Sequence, residues 1–420
     1  MCFFFRLQAI VLLLAVSSQA GGSPTRASAD YIAGLIRESV SSHPSIEAAK
    51  ARTDAATSAI RAVRLWEDPQ LGLGTMAAGT AMRMDDGDIR VGVDQILPRK
   101  GLFRAEKRLA TAEQQVQEST RQQSEVELGL TVGQTVVELA LADELIRLQS
   151  ENLEWLKTIV EIAAERSKSP DGSASESLRL ESELALRTQA LASLKRTRGQ
   201  YAATLNLLLS RPVDSSFGTL SLDSRPSRLT DAIALREQLE RNNPQLAAMR
   251  HQVESAEAEA DISREKRKPV FSVGVETNTY SGGDFRSAML AVRVTLPWFN
   301  RAAYRADLAR AEDLRDATVH DLAAQQRELY SQLITLITEA QNNQATFESY
   351  ADEVLPKTDK AVETIQSAWV SSKSTLLEVL DARRTLIEAK QEQKRALASR
   401  HVADQALIAL TGGPLSNSNK

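Results

Sequence analysis

The stretch "TLPWFNRAAYRADLARAE", Thr295–Glu312, closes an alternating apolar run with Leu296-Pro297 and opens a charged, alanine-rich helix. A second stretch, "ILPRKGLFRAEKRLATAE", Ile96–Glu113, follows the same plan around Leu97-Pro98. Pro98 and Pro297 stand 199 residues apart, and so do Glu113 and Glu312. The echo continues on both sides: Pro44 answers to Pro244 and Pro69 to Pro269, each 200 residues on. Glu176, Leu178, Leu180 and Pro212 answer to Glu378, Leu380, Ala382 and Pro414 at a spacing of 202. Landmarks in one order with so little drift mark a duplicated half, not a short solenoid unit.

The halves cover residues 21–212 and 230–414, with a linker at 213–229 and a tail at 415–420. Each reads as a short helix (about 30–41; about 230–241), then an x-Pro pair opening a second helix to about residue 66 or 266. Proline's fixed φ suits the first helical turn. Two strands follow, about 68–79 and 88–98 in the first half and about 268–280 and 287–297 in the second. A helical hairpin completes each half, 99–210 and 300–411. A helix of ~70 residues spans roughly 105 Å, beyond any globular core. Pro356 must interrupt the second of these long helices.

Leu128, Val132, Val136, Leu139 and Ile146, and Leu322, Leu329, Leu333, Leu336 and Ala340, form stripes that pack helix on helix. An ordinary coiled coil would show the same stripes, but it would lack the strands. Ile89, Val91 and Val93 alternate with Arg90, Gly92 and Asp94; Phe271, Val273, Val275 and Thr277 alternate with Ser272, Gly274, Glu276 and Asn278. Ala288, Leu290, Val292 and Val294 line one face of a third strand, and "DPQLGLGTM" is the weakest of the four. Their length, about 9–11 residues, crosses a bilayer at the tilt of a β-barrel. Four strands cannot close a barrel, since the smallest have about eight, so closure requires an oligomer.

The net charge of -4 over 420 residues supplies no basic face for nucleic acid. Arg6, the apolar run "LQAIVLLLAV" and Ser18-Gln19-Ala20 read as a secretory signal over residues 1–20. The only cysteine, Cys2, precedes the apolar run, so the mature chain has no disulfide, no thiolate ligand and no lipidated cysteine. The glycines of "GLGTMAAG" have the wrong spacing for a nucleotide loop, and neither GxSxG nor HExxH occurs. Met76, Met82 and Met84 are read as an adaptable loop rather than a soft-metal site. The reading is of a non-enzyme with no catalytic residue, no cofactor and no metal site.

"NPQLAAMRHQVESAEAEA" (Asn243–Ala260), "LPWFNRAAYRADLARAE" and "TLLEVLDARRTLIEAKQE" (Thr375–Glu392), in their duplicated order, resemble the outer-membrane factor (TolC-like) family, heavy-metal efflux (CzcC-like) branch. The resemblance covers essentially the whole mature chain. It implies a mainly α fold with a membrane β-barrel: a homotrimer pooling four strands per chain into a 12-stranded barrel in outer-membrane lipid, above a long α-helical barrel in the periplasm. Its hairpin tips would touch a periplasmic adaptor (membrane fusion) protein that links an inner-membrane pump of RND type. The implied function is a passive conduit for metal cations or small toxic compounds in a Gram-negative outer membrane.

By the resemblance, the adaptor-contact tips are Ser167, Pro170, Asp171, Gly172 and Ser173 in the first hairpin and Trp369, Ser372, Lys373 and Ser374 in the second. Ser372 and Ser374 stand where the family often has a glycine and a basic residue. "LLEVLDAR" matches the segment in which the family sets acidic rings, so Glu378 and Asp381, three apart on one helical face, become the periplasmic gate. Pro98 and Pro297 mark the strand-to-helix transitions. Two other functions use the same features: the outer-membrane channel of a type I protein-secretion system, and a non-pore periplasmic coiled-coil scaffold.

Overall fold

The computed structural model describes residues 24–76, 88–167, 174–224, 231–280, 282–371 and 373–412. The signal at 1–20 and the tail at 415–420 lie outside them. The chain begins with β1 (Thr25–Ala27), α1 (Ala29–Ser42), α2 (Pro44–Ala62), β2 (Gln70–Met76), β3 (Asp88–Ile96), α3 (Lys100–Ser167) and α4 (Ala174–Leu208). After β4 (Leu220–Leu222) the order recurs: α5 (Ala232–Asn242), α6 (Pro244–Lys266), β5 (Val270–Tyr280) and β6 (Phe285–Thr295). A 3-10 turn (Pro297–Asn300) then leads into α7 (Arg301–Ser349), a π-helical turn (Tyr350–Val354), α8 (Leu355–Val370) and α9 (Leu376–Thr411).

The x-Pro joints explain how short helices become long columns. His43 and Asn243 are extended because a proline follows each, and each caps the next helix. The Asn243 Oδ1 accepts the Leu246 N–H at 3.0 Å, while its Nδ2 donates to the Leu410 carbonyl at 2.9 Å. That second bond sets the end of α9 over the start of α6. Gly412 completes the joint in a left-handed conformation (φ 68), so close to the Asn242 carbonyl that a Cβ there would crowd it. In the first half Ser39 Oγ donates to the Leu208 carbonyl at 2.6 Å and Ser210 Oγ to the Ser42 carbonyl at 3.2 Å, setting α4 over α2. Two composite columns, α4/α2 and α9/α6, therefore stand beside the continuous α3 and α7–α8.

Packing orders these columns. α3 lies between the α4/α2 and α9/α6 columns, and α7 packs on the far side of α6 and α9. The stripes do the packing: Leu128, Val132, Val136 and Leu139 are buried in one core, and Leu329, Leu333 and Ala340 in a second. Each core surrounds one of the short helices, with Ile32 and Leu35 of α1 in the first and Leu235 and Leu239 of α5 in the second.

The segment read as a linker holds β4, which pairs in parallel with β1 at the level of the first core. Buried Asp143 of α3 fixes it there, accepting from Leu220 N–H at 2.9 Å and from Arg198 Nε at 2.7 Å. The interruption expected at Pro356 is the π-helical turn just before it, in which the Leu355 N–H reaches back to the Tyr350 carbonyl. That turn absorbs one extra residue and so accommodates a proline that cannot donate.

Candidate functional site

The four long strands form one antiparallel sheet in the order β2-β3-β5-β6, with β3 against β5 joining the two halves. Leu71, Val93, Val275 and Leu290 fall in one row across the strands, and Leu73, Val91, Thr277 and Ala288 in the next. This face is unpacked: Leu71 is 66% exposed, Val275 51% and Leu290 70%. Exposed apolar side chains in such contiguous rows mark a surface meant for something other than water.

The opposite face is polar. Asp94 pairs with Arg293 across β5, and Arg90 lies 3.7 Å from Glu276. Gly274 sits under the first pair, and a Cβ there would collide with the Asp94 carboxylate. The glycine in "FSVGVE" thus leaves room for a bridge spanning three strands. At the helical end of the sheet β3 stops at Ile96 and α3 starts at Lys100, with Pro98 between; β6 stops at Thr295 and Pro297 opens the 3-10 turn.

At the other end of the helices, α8 and α9 meet in a tight turn. Trp369 does not lie on its surface. Its ring is 2% exposed and packs with Leu156, Ile159, Leu180, Leu376 and Val379, so it fills the hairpin core and is no direct contact residue. A large aromatic so near a turn is drawn in because its burial closes two hairpins on each other. Ser374 Oγ donates to the Ile365 carbonyl at 3.0 Å, and the Lys373 N–H to that of Ala368 at 2.7 Å. The Lys373 side chain is exposed, flanked by exposed Val370 and Leu377, which sequence reasoning passed over. Their signal was an apolar residue out of phase with the buried stripe. Of the remaining tip residues, Ser167 ends α3, while Pro170, Asp171, Gly172, Ser173 and Ser372 lie outside the described residues.

Glu378 has a local role that the family resemblance did not suggest. It forms a capping box with Thr375: the Thr375 hydroxyl accepts the Glu378 N–H at 3.3 Å, and the Glu378 carboxylate accepts the Thr375 N–H at 2.9 Å. Thr375-x-x-Glu378 is the signature of such a helix start. Both Glu378 and Asp381 are exposed, and among the described residues neither forms an ion pair. Thr385 and exposed Glu388 extend their stripe along α9, while Leu376, Val379 and Leu386 are buried on the other side.

The arginines next in sequence turn away from this stripe. Arg383 donates to Asn152 Oδ1 at 3.0 Å and stacks over the Trp155 ring at 4.7 Å, and Arg384 approaches Glu183 at 3.9 Å. Burial pushes the Arg383 guanidinium below its ordinary pKa, with Asp359 and Glu151 opposing the shift.

Among the described residues, a wall of long helices ends in a sheet with one apolar exposed face and two edges that no other strand pairs, an arrangement that fits a membrane-channel class of protein. The chain belongs to the outer membrane efflux protein family, whose model matches residues 35–211 and again 235–413, one match per half. It is similar to the cobalt-zinc-cadmium resistance protein CzcC of Cupriavidus metallidurans, 26% identical over 170 residues, which are 40% of each chain. It is also similar to the pyoverdine export outer membrane protein OpmQ of Pseudomonas putida, 23% identical over 303 residues, 70% of this chain and 63% of that one. The matched regions thus span less than two thirds of either relative. The fold matches the crystal structure of CusC with a TM-score of 0.81 at 15% identity, covering 95% of this chain and 96% of that one.

Proposed function

We propose that the protein is the outer-membrane channel of a tripartite efflux system, a passive conduit from periplasm to exterior with no catalytic step of its own. Three copies pair the free edge of β6 in one with the free edge of β2 in the next, closing a 12-stranded barrel over a helical tunnel. The carrying observation is the four-stranded sheet with an exposed apolar face and both edges open. A scaffold without a pore has no use for such a sheet. Apolar residues left exposed on the outermost helical columns, Leu178 and Leu186 of α4 and Ile334 of α7, supply surface for the neighbouring copies.

In this reading the exposed Val370, Lys373 and Leu377 belong to the tip that meets a periplasmic adaptor, which connects to an inner-membrane pump of RND type. Glu378 and Asp381 surround the entrance. The names of CzcC and OpmQ favour metal cations or other small compounds as cargo over a protein.

The test is a substitution on the apolar face. Val93→Asp sets a charge against lipid, at a cost below the roughly 2–4 kcal/mol of a lysine or arginine at the midplane. It should abolish the heat-modifiable trimer band and release the chain from carbonate-washed membranes, while Thr277→Val on the same face should assemble normally. Equal assembly of Val93→Asp and wild type would refute a membrane barrel in this register.

A further inference from the structure

The polar face of the sheet is more charged than a wet wall needs. Four cross-strand rows make up most of it, those of Ser272, Gly274, Glu276 and Asn278 along β5. Gln70, Ser272, Asn278 and Ser287 supply polarity in these rows without charge. The charged residues are Arg90 and Asp94 on β3, Glu276 on β5 and Arg293 on β6, two cations and two anions. Each cation meets an anion on another strand: Arg90 lies 3.7 Å from Glu276, and Arg293 reaches Asp94 across β5.

Two features separate this band from a scatter of surface charges. The Asp94–Arg293 contact passes over a whole strand, and Gly274 makes it possible. A Cβ there would overlap the Asp94 carboxylate and press on the Arg293 guanidinium. Both arginines are also about half exposed, so their pairs contribute little stability to strands that the backbone ladder already holds. What the pairing does change is the field. A ring of bare arginines around a pore favours anions. A cation beside its own anion does not, because the two Coulomb terms cancel with distance.

We propose that Asp94 and Glu276 set the ion preference of the barrel by masking Arg90 and Arg293, so that this band passes cargo of either sign. The inference rests on the membrane reading above, which turns the polar face to the lumen, and it names the residues that decide specificity there. Charge discrimination is then left to the acidic entrance at Glu378 and Asp381, toward the other end of the helices. Cargo that has cleared that entrance meets no second charged barrier within these rows.

The full mature chain is inserted into planar bilayers, and the cation-to-anion permeability ratio is read from the reversal potential. The salt is kept near ~10 mM, where the Debye length is roughly 30 Å. Asp94→Asn/Glu276→Gln unmasks both arginines and is expected to lower the ratio severalfold. Arg90→Gln/Arg293→Gln loses the same two bridges but keeps the carboxylates, and should raise it. Asp94→Asn/Arg293→Gln removes one pair whole and should keep the wild-type ratio. At about 1 M salt, with a Debye length of about 3 Å, the variants should converge. Unchanged ratios in the first two variants, with the trimer band intact, overturn the proposal. Shifts of the same sign in both overturn it too, since they report a distorted barrel. Should only one of them assemble, the sign of its shift decides. If neither assembles while Asp94→Asn/Arg293→Gln does, the face tolerates no unpaired charge, is no wet lumen, and the proposal falls. Failure of the wild type itself to form an inserted trimer overturns the membrane reading, and the trimer band tells the two failures apart.

Discussion

Glu378 carries two demands that a substitution can separate. Its charge belongs to the acidic stripe, and its carboxylate oxygen holds the Thr375 N–H at the first turn of α9. Glutamine keeps the reach and an acceptor but not the charge; aspartate keeps the charge but is one methylene short of the box. Glu378→Gln should therefore leave the helix start intact, and Glu378→Asp should fray it. Thr375→Ala removes the hydroxyl acceptor and should cost about 1 kcal/mol locally. Hydrogen exchange of the amides around Glu378 and Val379 checks this: severalfold faster exchange is expected in Glu378→Asp and Thr375→Ala, and unchanged exchange in Glu378→Gln. Equal protection in all three would mean that the box contributes nothing there.

The long helix of the second half poses the same kind of question for an element. The π-helical turn at Tyr350–Val354 holds one residue more than a regular helix, and Pro356 follows directly. Deleting Asp352 should restore regular helical phase, so buried Val362 and Trp369 would keep their places, but the proline ring would then meet the carbonyl four residues back. The deletion alone should destabilise by about 3 kcal/mol, and adding Pro356→Ala should recover most of it. The temperature at which the trimer band dissociates, followed with Trp369 fluorescence, measures both. Recovery without the second change would show that the turn does not serve the proline.

The interruption was legible in the sequence because proline's covalent geometry is local, and so were the long helices and strands, whose periods repeat many times. The β1–β4 pair was not, since three residues show no alternation and their partners lie across most of one half. Nor were the composite columns, which depend on Ser39 meeting the Leu208 carbonyl 169 residues away. At the tip, the match placed Trp369 near the turn, but only packing between two hairpins decides that its ring faces inward.

For the molecule as a whole, the acidic stripe matters only if three copies bring it to one axis. Arg383 and Arg384 are held by Asn152, Trp155 and Glu183 on other helices, so they do not neutralise Glu378 and Asp381 within the protomer. Six carboxylates at a narrow entrance would concentrate cations and repel anions. An alanine pair would be a poor probe of this, because it would also break the capping box and could move the wall. Glu378→Gln/Asp381→Asn removes these six charges, leaving Glu388 further along α9, while keeping the helix start. Single channels of that variant in planar bilayers should lose much of their cation selectivity and resist block by multivalent cations added from the helical side. Trimer stability should match that of the wild type. Unchanged selectivity and block would place these carboxylates on the outside of the tunnel, where a solvated surface needs no gate.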